Sequence, residues 1–166
     1  MYQIGDLIMY RKEGVCRVKA IGVPDLSSNN DERIYYTLSP ANRDGLIYIP
    51  VDNAVFMRPV ITYGEAQALI KQIPHIKSAV IYEPRNLKIL SDYYEALMQT
   101  HDCADLIRLI ESVDFKRQLS AKKLGKIDEH YLKLAEDLLY GEFAIALGIP
   151  KGDVKNYIEE NVESVS

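Results

Sequence analysis

Tryptophan is missing from this 166-residue chain, phenylalanine occurs three times, and cysteine and histidine are scarce at two and three. Cys16 and Cys103 lie far apart and form no Cys-x-x-Cys pair. That leaves no basis for a disulfide framework or a thiolate metal site, and it fits a reducing, cytoplasmic location. His75, His101 and His130 fall in different segments without ligand spacing, so no metal site is expected. Cys103 and His101 make no nucleophile pair, because residues two apart on a helix do not face each other. The chain carries no Gly-x-Ser-x-Gly elbow, no Gly-x-x-x-x-Gly-Lys-Ser/Thr loop and no Gly-x-Gly-x-x-Gly turn, which removes the signatures of hydrolases, nucleotide-binding loops and dinucleotide folds. No catalytic residue and no cofactor are predicted, and the chain is read as a non-enzyme. Apolar runs stay short of the roughly 20 residues that cross a bilayer, and the N-terminus lacks the charged and apolar regions of a signal peptide. Neither export nor a membrane role is expected.

Positive charge is also in deficit: 20 Lys and Arg face 24 Asp and Glu, a net charge of −4. A binder of nucleic acid by charge alone needs the opposite balance, because phosphate neutralisation supplies most non-specific affinity. The deficit is uneven. Residues 1–64 hold seven bases and seven acids, whereas the remainder holds 13 bases against 17 acids. Inside that acidic remainder, residues 115–126 read FKRQLSAKKLGK, with Lys116, Arg117, Lys122, Lys123 and Lys126 and no acid. Two readings stay open here: a phosphate-contacting patch, or a helix end whose bases complement its dipole, followed by a solvated helix start.

The texture of the chain changes near residue 60. Before it, DLIMY, GVCRVKAI, RIYYTLS, GLIYIP and AVFMR are short, rich in Val, Ile and Tyr, and separated by Gly, Pro, Asn and Asp. Five such runs predict an antiparallel meander that closes into a small barrel. Alternation in the second run puts Cys16, Val18 and Ala20 on the inner face, with Val15, Arg17 and Lys19 outside. The polar PDLSSNNDE between the second and third runs predicts an exposed hairpin loop. Twelve tyrosines make Tyr the chief aromatic, and of the adjacent Tyr35 and Tyr36 one must face the core and the other outward.

Beyond residue 60 the period is helical. Thr62 and Glu65 have capping-box spacing ahead of a helix stopped by Pro74, and residues 75–84 look like a connection. Residues 86–99 carry a stripe of Leu87, Leu90, Tyr94, Leu97 and Met98. Asp102 caps a helix with Leu106, Ile110 and Val113 inside. From Leu124 the apolar positions step through Ile127, Tyr131, Leu134 and Leu138 to a Gly148 stop, and residues 153–162 form a last helix. The terminal ENVESVS is expected to fray. The predicted class is α+β: a β-barrel over 1–61, then an all-α bundle over 62–166.

The opening YQIGDLIMYRKEGVCRVKAI, with Gly5, Asp6, Ile8, Tyr10, Gly14 and Val18, and the later Ile49, Pro50, Asn53 and Ala54, resembles the signature of the CarD/CdnL family of bacterial transcription regulators. The helical half is similar more loosely, through THDCADLIRLIESVDFKRQLSAKK and LAEDLLYGEFAIALGI. The resemblance implies a Tudor-like barrel that binds the RNA polymerase β subunit, followed by a helical domain that approaches promoter DNA at the upstream edge of the transcription bubble without reading its sequence. It also implies stabilisation of the open complex. Strand addition at a barrel edge would make the polymerase contact. The expected edge is GLIYIP beside RIYYTLS, with Tyr36, Leu46, Ile47, Tyr48, Ile49 and Pro50 as contact residues. Gly5, Asp6 and Gly14 have a structural reading, as turn residues.

Two positions depart from the family pattern. Ungapped alignment of Thr-His-Asp with the family's Ser-Gly-Asp puts Leu87 where many members carry a Trp that wedges at the bubble, with Lys88 the one base close behind. Tyr48 stands where the family often has Arg. Leu87, Lys88, Lys116, Arg117, Lys122, Lys123 and Lys126 are therefore the expected DNA-contacting set, in a weak or partner-dependent contact. The alternative is an adaptor that keeps the barrel and has no promoter contact.

Overall fold

A computed structural model describes residues 1–25, 32–53, 57–76, 84–119 and 123–163. Most of the predicted hairpin loop, the start of the fifth run with Ala54, most of the predicted connection, Lys122 and the last three residues lie outside the described residues. The chain forms two compact units, Met1–Val60 and Ile61–Ser166, and it is α+β.

The first unit is a five-stranded antiparallel sheet of β1 (Leu7–Tyr10), β2 (Gly14–Gly22), β3 (Tyr35–Pro40), β4 (Ile47–Pro50) and β5 (Met57–Pro59), in the order β4-β3-β2-β1-β5. The expected barrel is not closed. β4 and β5 are the two edges and do not pair with each other among the described residues. A turn at Gly5 (φ 95°), where a side chain would be strained, launches β1. Gly5 donates its N–H to Val18 at 2.8 Å, and Gln3 donates to the Asp6 carboxylate at 2.8 Å. Gly14 turns β1 into β2 at φ 85°.

Ile8, Cys16, Val18, Tyr36, Leu38 and Ile49 form the core of this unit. Val18 pairs with Leu38 and Ala20 with Thr37, so Lys19 is an extra, bulged residue. That insertion corrects the predicted alternation: Ala20 turns outward, and Ile21 packs against the core in its place. Val15 lies on the outer face opposite Met9, and both are nevertheless buried. Burial is the main cause that lifts the Cys16 thiol to about 11, with the Glu13 carboxylate adding to it and Arg43 opposing it.

The second unit holds α1 (Tyr63–Ile76), α2 (Leu87–Gln99), α3 (Cys103–Leu119), α4 (Lys126–Leu147) and α5 (Lys151–Glu163). Its helix ends follow local chemistry. Thr62 and Glu65 exchange side-chain to backbone bonds at 3.2 and 3.1 Å. Asn86 accepts from the Lys88 N–H at 2.9 Å, and Asp102 from the Ala104 N–H at 2.9 Å. Gly148 closes α4 in the left-handed conformation, φ 70°. Pro74 does not stop α1, which runs two residues further; a proline this close to the end forfeits one hydrogen bond and leaves little helix beyond it to disrupt.

α4 packs against each of the other four helices, and its buried line is Tyr131, Leu132, Ala135, Leu139, Phe143 and Leu147. Leu134 and Leu138, part of the predicted stripe, are only half buried. Glu142, at 0% exposure, is the most deeply buried carboxylate among the described residues. It accepts from the Ile61 N–H at 3.0 Å and from the Cys103 thiol at 3.1 Å, beside the starts of α1 and α3, where unsatisfied N–H dipoles favour negative charge.

Candidate functional site

Two surfaces, one in each unit, carry the expected contact residues. In the first unit β4 is an edge strand, as expected of the GLIYIP run, and among the described residues no strand pairs on its outer side. Val51, just past the strand, donates its N–H to Ile34 at 2.9 Å. Tyr35 lies opposite Pro50, Tyr36 opposite Ile49, Thr37 opposite Tyr48 and Leu38 opposite Ile47. Because antiparallel ladders alternate bonded and non-bonded pairs, Tyr36/Ile49 and Leu38/Ile47 are the bonded ones. Tyr48 therefore turns both its N–H and its C=O away from β3, toward that outer side. Pro50 offers a carbonyl there and no donor, which limits how far a partner strand can pair.

The six residues expected at this surface divide by pleat. Tyr36 and Ile49 are core residues, which removes their side chains from any contact surface. The Tyr36 hydroxyl accepts from the Tyr2 N–H at 3.2 Å, and the two rings meet edge to face at 5.8 Å. Ile47 packs half-buried against the same core. Leu46 and Tyr48 are exposed, at 52% and 38%, and Pro50 lies on their face of the sheet. Tyr35 shares that face and was missed; its ring lies under the Arg33 guanidinium at 5.7 Å. A signal for it existed: alternation puts Tyr35 with Thr37 and Ser39, and a face carrying Thr and Ser is the outer one.

Residues 2–61 match the family model for the CarD-like/TRCF RID domain. The first unit is similar to that domain over nearly its whole length. That family is RNA polymerase-interacting and transcription-related, and the match ends where the sheet unit ends. No curated protein matches the chain.

In the helical unit the expected DNA-contacting residues scatter. Leu87 is 63% exposed in the first turn of α2, with Lys88 exposed beside it, so Leu87 is not part of the buried stripe. Lys116 is only 9% exposed, and its ammonium donates to Asp128 at 3.1 Å, which takes it out of the surface set. Arg117 is exposed but lies 3.6 Å from the Asp114 carboxylate. Lys123 and Lys126 are exposed, and among the described residues neither has an ion-pair partner. Lys122 lies outside the described residues.

Contacts from Ser91 to Tyr131 and from Tyr94 to Asp128 show that α2 and α4 run antiparallel. At about 1.5 Å per residue, Leu87 and Lys88 lie roughly 12 Å along the axis from the level of Lys126. Acid gathers elsewhere in the unit. Burial, followed by Glu136, Asp114, Glu111 and Glu159, pushes the Tyr140 hydroxyl up. Among the described residues no group of three or more His, Cys, Asp or Glu could hold a metal, and no helix is long and apolar enough to cross a membrane.

Proposed function

We propose that this chain is a non-enzymatic transcription regulator whose sheet unit docks on the β subunit of RNA polymerase and whose helical unit touches promoter DNA without reading sequence. The observation that carries the docking is the β4 edge strand, with the outward backbone of Tyr48, on a domain similar to an RNA polymerase-interacting family. A strand of the β subunit adds to that edge. Main-chain bonds supply the affinity, and Tyr35, Leu46 and Tyr48 select side chains. Lys123 and Lys126 carry the phosphate contact, with Leu87 and Lys88 as a second point further along the bundle, and the outcome is a change in open-complex stability.

Tyr48→Pro tests the docking directly. It deletes an N–H that β3 does not use, and proline is tolerated on a strand edge facing solvent. Binding of the full chain to the polymerase β subunit is expected to fall at least about tenfold, since a lost interfacial hydrogen bond and a blocked edge exceed 1.4 kcal/mol together, with little change in thermal stability. Wild-type binding by a folded Tyr48→Pro chain rules out strand addition at β4.

The acidic helical half and the burial of Lys116 favour a second reading, a protein-only adaptor without promoter contact. Open-complex lifetime, measured with and without the chain, separates the two: an adaptor leaves it unchanged.

A further inference from the structure

The residues proposed to face DNA sit at the start of α2 and at or just before the start of α4, and these two helices meet α3 at one carboxylate. Asp128, in the first turn of α4, is 5% exposed. Its Oδ1 accepts from the Tyr94 hydroxyl of α2 at 2.6 Å and from the Lys116 ammonium of α3 at 3.1 Å. Tyr94 is 2% exposed, and its ring lies 5.4 Å from that of Tyr131. One turn along, the Tyr131 hydroxyl donates to Glu95 at 3.0 Å and lies 3.1 Å from Ser91 Oγ. The two helices are thus tied at two successive levels.

Bases in this stretch have unequal surroundings. Lys116 and Arg117 are neighbours in sequence, but on a helix adjacent residues point about 100° apart. Lys116 turns inward, and a buried cation persists only when paired, because desolvation alone makes it costly. Asp128 supplies that pairing from the adjacent helix. It does so just past Gly125, the N-cap of α4, which itself has no side chain to accept from the first turn.

We infer that Asp128 is a positioning residue that sorts the basic stretch: it holds Lys116 inside as a neutralised tie between helices and leaves Lys123 and Lys126 as the anion-facing pair. The sorting stands on the geometry above. Its consequence for nucleic acid rests on the DNA contact proposed in the preceding section.

The full chain is labelled with an amine-reactive N-hydroxysuccinimide ester, and modification is read lysine by lysine. Lys116 is expected to react at least about tenfold more slowly than Lys123 and Lys126, and Asp128→Asn is expected to narrow that gap at unchanged helical content. Equal rates at the three lysines in the wild-type chain overturn the sorting. So does a gap that Asp128→Asn leaves intact. Should Asp128→Asn lose helicity, Tyr94→Phe, which removes one of the two bonds to Asp128 and leaves the ion pair, must preserve the protection of Lys116. Loss of protection in that variant also overturns it.

Binding to a random-sequence duplex over a range of salt then tests the consequence. Lys116→Met is expected to keep the wild-type salt slope, whereas Lys123→Ala with Lys126→Ala flattens it by about 0.9 per lost contact. A slope flattened by Lys116→Met overturns the sorting. A slope untouched by the double variant overturns the DNA contact, and the labelling result stands apart from it.

Discussion

Glu136 shows how a single half-buried group affects stability. Burial is the main cause that raises its carboxyl above the ordinary value of 4.5; Asp114 and Asp137 act in the same direction, and Lys155 and Arg117 oppose them. The folded chain therefore holds this proton more tightly than the unfolded chain. Between the ordinary and the raised value the folded state binds more protons, so stability falls as pH rises through that window. Glu136→Gln is expected to stabilise the protein near neutral pH by a few tenths of a kcal/mol, a small effect because solvent screens a half-exposed group. The gain should vanish below about pH 4, where the native carboxyl is itself protonated. Urea denaturation at both pH values checks this, and destabilisation at neutral pH would show that Lys155 and Arg117 outweigh the burial.

The candidate site was legible to the same depth, residue by residue. Tyr48, Leu46, Lys123 and Lys126 are exposed, as a contact role requires, because runs of period two and polar helix starts mark them. Choosing Tyr36 over Tyr35 required knowing which face of β3 is covered, and two adjacent tyrosines leave that to their Thr and Ser neighbours. Burial of Lys116 was hidden for a different reason. Its partner Asp128 lies 12 positions away on the next helix, and such pairing comes from tertiary packing. Glu142 drew no attention for the same reason: its donors, Ile61 and Cys103, come from other segments.

Elements followed local rules where the rules were local. The Thr62/Glu65 box, the Asp102 cap and the Gly148 stop all form, because capping satisfies backbone groups within a few residues. The β2 bulge did not announce itself. An extra residue leaves composition intact and reverses alternation only beyond it. Deleting Lys19 should therefore remove the bulge and leave a regular ladder in which Ala20 stays outward and Ile21 stays on the core. A change of less than about 0.5 kcal/mol is expected, because no apolar surface returns to water, read as a nearly unchanged denaturation midpoint of the sheet unit. A loss of more than about 1 kcal/mol would mean that the extra twist of the bulge is needed to seat β2 on the core. Barrel closure was overestimated for a related reason: five strand-like runs count strands without showing which edges meet.

At the scale of the whole molecule, the −4 charge and the proposed DNA contact are compatible only if the contact is weak and arises after docking. Two exposed lysines release few counterions, so free-chain affinity for duplex is expected to be low and to fall with salt by roughly 0.9 log units per contact per decade. Once the sheet unit is bound to polymerase, the helical unit meets DNA at an effective concentration set by the tether, on the order of millimolar for short connections. A weak contact then suffices. Separable losses follow. Lys123→Ala with Lys126→Ala should bind the polymerase β subunit as the wild-type chain does and lose most of its effect on open-complex lifetime. Tyr48→Pro should keep free-duplex binding and lose the same effect, because the tether is gone. Raising the concentration of Tyr48→Pro toward the millimolar range should restore part of that effect, which no increase can do for the lysine double variant. Failure of that recovery, with duplex binding intact, would mean that docking does more than concentrate the helical unit at the promoter.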